Sequence, residues 1–196
     1  MELTQYLELK GRAETLVRER IQGTRKSLPD EPNYLHSFRV RDLVISCHHC
    51  DDCDDDLFLA ALLHDVVEDG GVSFQELRDM GFTDRTIHFV ALGTHPLDIE
   101  NSTERWMLMT AKLIEADDED AWRIKLADLT DNLRQSKGLS PEARRFMIEV
   151  KAPLFLRLTE KYCRGYFGSC HYFLEQEMKA QWASFVLNES EQNRSS

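Results

Sequence analysis

Apolar residues recur along this chain at three- and four-residue intervals almost from end to end, while alternating runs of Val, Ile and Thr are absent. That period belongs to helices with one face against a core, so the expected fold class is all-α. A first helix is expected over about Thr4 to Ile21, with Leu7, Leu9, Ala13, Leu16, Val17 and Ile21 as its apolar positions. The polar stretch GTRKSLPDEPN, with a glycine and two prolines, then forbids continued helix. A second helix follows over about Tyr34 to Cys47, with His36, Val40 and Val44 on one stripe.

Leu57 to Gly71, LFLAALLHDVVEDGG, is the stretch around which the rest is organised. Read as one helix, it puts His64 one turn from Glu68 and Asp65 one turn from Asp69, among Leu, Ala and Val. Burying four ionisable groups is costly unless something compensates, and a divalent cation is the simplest compensation. Gly70-Gly71 is the expected stop. Ser73 to Glu76 reads as a capping box opening a short helix that stops at Gly81, and Thr83 caps the next, through Ile87, Val90 and Leu92.

After the irregular stretch Gly93 to Asn101, helices are expected over Thr103 to Glu115 and over about Asp118 to Gln135. Ser140-Pro141 starts another, which Pro153 should kink or break. From about Leu154 to Leu187 two more helices are expected, separated by Gly165 and Gly168, before a polar tail from Asn188 to Ser196. The domain organisation expected is one unit over residues 1–160, with 161–196 a helical extension packed on it.

Composition adds limits. At 196 residues the chain can bury a substantial core, and 42% apolar with 30% charged residues is ordinary for a soluble globular protein. A net charge of -11 repels nucleic acid and anionic membranes, so neither is an expected partner, and an anionic small molecule needs a local basic cluster or a metal. The amino terminus lacks the apolar core of a signal peptide, and no apolar run approaches the roughly 20 residues of a membrane span. Five cysteines, an odd number, read as reduced thiols in the cytoplasm.

Two further stretches carry partners for the central doublets. His36 lies mid-helix in YLHSFRV, and IKLADLTDNL sets Lys125, Asp128 and Asn132 at spacings of three and four, on one helical face. His36, His64, Asp65 and Asp128 together offer two imidazole nitrogens and two carboxylates. That mixed set suits Mn, Fe or Zn better than Ca.

The order H…HD…D resembles the HD-domain phosphohydrolase superfamily. The segments RKS with a following P and YLH, then AALLHDVVED, KLADLTDNL and EVKAPLFLRL, resemble the hydrolase domain of RelA/SpoT alarmone enzymes and their small stand-alone relatives, metazoan SpoT homologues included. The similarity covers about Gly23 to Leu158. It implies an HD-domain helical bundle with one metal, usually manganese, with Fe, Zn, Co or Ni as alternatives, held in its core by His36, His64, Asp65 and Asp128. Glu68 and Asp69 match the pair that orients and deprotonates the attacking water. Arg25, Lys26 and Ser27 match a basic motif along the nucleotide, and Asn132 matches an asparagine that holds the nucleoside.

The implied activity is removal of the 3′-pyrophosphate from guanosine 3′,5′-bis(diphosphate), ppGpp. The alternatives are a phosphatase acting on NADPH or another nucleotide, and a nucleotide-sensing module without turnover. Three departures bear on substrate more than on metal: Leu129 and Gln135 replace expected contacts, and Leu92-Gly-Thr-His95 stands where alarmone hydrolases carry Val-Thr-Asp or Val-Thr-Lys. Lys125 is expected either on a phosphate or as a partner of Asp128, and His95 reads as an incidental loop histidine. Cys47, Cys50 and Cys53, with His48 and His49 between them, lack the matching distant pair of a zinc site and read as unligated. Oligomeric state is not legible.

Overall fold

The computed structural model describes residues 1–25, 27–47, 54–162 and 169–194, the last eight of these by backbone alone. It is an all-α bundle: α1 (Leu3–Arg20), α2 (Leu35–Cys47), α3 (Asp55–Leu63), α4 (Phe74–Asp79), α5 (Asp84–Gly93), α6 (Ser102–Ala116), α7 (Glu119–Arg134), α8 (Pro141–Phe146), α9 (Ala152–Thr159) and α10 (Cys170–Arg194). Lys26, His48, His49, Cys50, Cys53, Gly165 and Gly168, all singled out from the sequence, lie outside the described residues.

α3 is the centre of the core. Leu57, Leu59, Leu62 and Leu63 are fully buried on it, as are Ala60 and Ala61, because α1, α2, α5 and α7 all pack around it. A helix apolar on every side has no solvent face to offer. Each buried leucine contributes about 1.5–3 kcal/mol of transfer free energy. Asp54 caps this helix through the Leu57 N–H, and Asp56 accepts from Thr83 and Thr86, tying its first turn to α5.

The expected long central helix is cut short. α3 ends at Leu63, and residues 64–70 continue as turns. Val66 N–H bonds to Leu63 O three residues back, and the Ala61 carbonyl accepts from the His64 ring, so local polar bonds take over from the helical ladder. Gly71, at φ +62°, closes the segment in the left-handed region that glycine adopts without strain.

Most caps fall where the sequence puts them: the Ser73–Glu76 capping box, Thr83 before α5, Asp118 before α7, and Ser140 with Pro141 before α8. Two differences are informative. The stretch read as a polar turn contains a small antiparallel hairpin, β1 (Thr24–Arg25) and β2 (Leu28–Pro32). Its prolines are tolerated in a two-stranded ribbon because each strand has an edge needing no N–H. The kink expected at Pro153 is absorbed upstream by a π-helical turn, Met147–Lys151, in which Ala152 N–H reaches back five residues to Met147 O. The wider turn relieves the clash a proline ring makes with the carbonyl four residues earlier.

The hairpin is seated by a close approach. A Cβ on Gly138, in the 3₁₀ turn Ser136–Gly138 after α7, would lie 2.1 Å from the Ser27 carbonyl oxygen, so only glycine lets the hairpin tip rest there. At the other end of the chain α10 lies along α7, held by Arg144 to Gln181 Oε1 at 2.9 Å and Arg134 to Glu177 at 3.3 Å.

Candidate metal centre and active-site cleft

Three elements bring the candidate donors together: α2 supplies His36, the turn after α3 supplies His64 and Asp65, and α7 supplies Asp128. One ligand atom each from His36, His64 and Asp65 lie within 4.8 Å of one another. The two imidazole Nε2 atoms are 3.3 Å apart, and Asp128 Oδ1 lies 3.1 Å from that of His36 and 3.9 Å from that of His64. Asp65 approaches the same two nitrogens at 3.6 and 3.2 Å.

The opposite ring nitrogens are already committed. His36 Nδ1 donates to buried Asp131 at 2.7 Å, and His64 Nδ1 donates to Ala61 O at 2.9 Å. Both rings therefore turn their Nε2 lone pairs inward, onto each other and onto two carboxylates. Such a convergence of acceptors is stable only around positive charge, so the donor set fits one divalent metal ion.

The electrostatics agree. Burial alone would lower the His36 imidazole, but its hydrogen bonds to Asp128 and Asp131 and the nearby Asp65 charge raise it to about 9. Burial would raise Asp65, yet His64 and His36 hold it well below the usual carboxylate range. Asp128 is held low against burial by Lys125, whose Nζ lies 2.7 Å from its Oδ2, and Lys125 is raised in turn by Asp128, Asp65 and Glu68. Asp131 accepts two bonds from Arg39, at 2.7 and 3.1 Å.

Asp131 did not stand out in the sequence. Its signal was present, three residues after Asp128 in KLADLTDNL and thus on nearly the same helical face.

A cleft of about 320 Å³ opens on the metal set and is lined on its acidic side by Asp65, Glu68 and Asp69. Glu68 and Asp69 stand apart from each other in environment. Both oxygens of Glu68 are held by His95, through its backbone N–H at 2.8 Å and Nδ1 at 2.7 Å. Among the described residues, the Asp69 carboxylate accepts one hydrogen bond, from the Asn33 amide at a long 3.4 Å, and burial together with Asp65 and Glu68 pushes its carboxyl up.

On the basic side, Arg25 donates to Asn132 Oδ1 at 2.5 Å and to Gln135 Oε1 at 3.2 Å, and Asn132 donates to Asp128 Oδ1 at 2.6 Å. One chain of bonds thus links the hairpin to Asp128. Lys125 is buried and paired with Asp128 rather than at the surface. Ser27 sits at the hairpin tip against Gly138, outside the lining of the cleft, while Leu129 is part of it.

Lys151 completes the cleft and was not identified from the sequence. Its ammonium lies 5.4 Å from the centre of the Trp106 ring and 5.5 Å from that of Phe146, and burial lowers its pKa. The π-helical turn that positions it had no recognisable sequence signature beyond Pro153.

The fold is an all-α bundle, and its His36, His64 and Asp65 could hold a divalent ion. Its likeness to a solved structure is to a metazoan ortholog of SpoT that hydrolyzes ppGpp and plays a role in starvation responses: 23% identity, TM-score 0.68, covering 92% of this chain and 97% of that one. The two chains share a fold. No protein-family model and no curated protein matches the sequence. Among the described residues, no helix is long and apolar enough to cross a membrane.

Proposed function

We propose that the cleft is the active site of a metal-dependent hydrolase acting on a phosphorylated nucleotide, with ppGpp or a close analogue as substrate and the 3′-pyrophosphate as the group removed. The observation that carries this reading is the juxtaposition, in one cleft of about 320 Å³, of a divalent-metal donor set, the Glu68/Asp69 pair and the cations Arg25 and Lys151. Support comes also from the shared fold with a protein that hydrolyzes ppGpp.

His36, His64, Asp65 and Asp128 would hold the ion. When bound, it supplies a Lewis acid that polarises a phosphoryl oxygen and acidifies a water molecule; the donor set suits manganese, and iron or zinc as well. The chain's own groups do the rest. Arg25 and Lys151 neutralise phosphate charge in a protein of net charge -11. Glu68 orients the attacking water and Asp69 takes its proton as the water oxygen bonds to phosphorus. The phosphorus–oxygen bond to the ribose 3′ position breaks, and that oxygen takes up the proton.

Manganese-loaded protein incubated with ppGpp should release pyrophosphate, and Asp65→Ala should abolish the release. Orthophosphate from NADPH or a nucleotide monoester, with ppGpp untouched, would move the assignment to a monoester phosphatase. Tight nucleotide binding without any product would make the chain a sensor.

A further inference from the structure

His95 reads in the sequence as an incidental loop histidine, yet its geometry ties it to the water-handling pair. We propose that His95 is a positioning residue for Glu68, fixing that carboxylate as the group that orients water and leaving the proton to Asp69. The inference rests on the hydrolase reading of the same cleft.

Glu68 lies on the turn after α3, not on a helix, and its backbone alone does not set where its carboxylate points. His95 supplies what the backbone does not. Its N–H bonds one carboxylate oxygen at 2.8 Å and its Nδ1 the other at 2.7 Å, so the plane of the carboxylate is set from two sides. Each oxygen keeps a lone pair for water.

The loop carrying His95 is itself clamped. Lys112 of α6 donates to Ala91 O and to Thr94 O at 2.5 and 2.9 Å, and Thr94 Oγ1 bonds Val90 O at 2.8 Å, so the end of α5 and the residue before His95 are held together. Asp69, in contrast, lines the same cleft with a single long side-chain bond among the described residues, from the Asn33 amide at 3.4 Å. The two acids therefore divide orientation from proton transfer because His95 holds both oxygens of Glu68.

The test uses three substitutions at one position. His95→Ala keeps the backbone N–H and removes the Nδ1 bond; His95→Asn places an amide nitrogen where Nδ1 stands; His95→Gln places it one atom too far. With manganese-loaded protein and ppGpp, H95A should lower kcat by about 10–100-fold with KM within about twofold, as loss of a supporting hydrogen bond does at metal sites. H95N should recover most of the rate, H95Q should not, and all three should bind manganese as the parent does. In parallel, the downfield Nδ1 proton resonance of His95 should be present in the parent and absent in Glu68→Ala.

Unchanged kcat in H95A overturns the proposal, as does equal loss in H95A and H95N together with lost metal, which is the signature of a structural role. A parent protein that turns over no nucleotide overturns the hydrolase reading and the role of His95 with it, whereas an active parent indifferent to H95A overturns His95 alone.

Discussion

His36 Nδ1 lies 2.7 Å from Asp131 Oδ2, and this one bond aims the other ring nitrogen at the metal donors. Asp131 is buried and braced by Arg39, so its position is set before any ion arrives. Asp131→Asn keeps the shape and removes the charge. Manganese affinity, measured by calorimetric titration, should fall by about 10–100-fold, with the helical circular dichroism unchanged.

Lys125 and Asp128 form a buried ion pair at 2.7 Å. Lys125→Met leaves a carboxylate buried beside Asp65 with its main counter-charge gone. Urea unfolding of the metal-free protein should show a loss of about 3–5 kcal/mol, the usual cost of breaking such a pair. The deficit should shrink on adding manganese, which returns positive charge to the same carboxylates.

Gly138 and Ser27 touch backbone to Cβ position, with 2.1 Å between the Ser27 carbonyl oxygen and an added methyl. Gly138→Ala must push the hairpin off its seat and carry Arg25 away from Asn132. Overpacking of this kind costs about 1–3 kcal/mol of stability. Steady-state kinetics should show KM for ppGpp raised by about 10-fold or more with bound manganese unaffected.

Lys151 is the cleft cation whose charge is set over aromatic rings. Lys151→Met keeps the apolar stem against Trp106 and removes the charge. KM should rise by about 10–100-fold, the worth of one hydrogen bond to a charged group, while the melting temperature stays close to the parent's.

Removing the metal exposes the charge balance of the site to pH. Without a metal, and against burial, the hydrogen bonds to Asp128 and Asp131 and the Asp65 charge raise the His36 imidazole from 6.5 to about 9. A raised folded-state value stabilises the fold fully below pH 6.5, and that contribution is lost as pH rises through about 9. The melting temperature of metal-free protein should therefore fall between pH 7 and 9.5, and manganese-loaded protein, with His36 neutral and ligated, should lack this slope.

The sequence alone determined the helical class and the capping residues of α4, α5, α7 and α8, and it singled out His36, His64 and Asp65, whose ligand atoms the fold brings within 4.8 Å of one another. These are local signals: a period of three to four apolar positions, a side-chain oxygen ahead of a helix, and polar doublets on an apolar run. It misjudged the length of the central helix because the bonds that end it, from the His64 ring to Ala61 O and from Val66 N–H to Leu63 O, replace the helical ladder there. It also treated 24–32 as plain turn, since a two-stranded ribbon with prolines lacks the alternation that marks a strand.

Tertiary structure decided the rest, for one physical reason. Asp131 behind His36, His95 on Glu68, Gly138 under Ser27 and Lys151 over Trp106 are pairs separated by 95, 27, 111 and 45 positions in the chain, so no local pattern links them. The candidate residues stood out in the sequence as the polar residues His36, His64, Asp65 and Asp128 among apolar stretches. The direction in which each donor faces was settled only when α2, α3 and α7 closed around the same point.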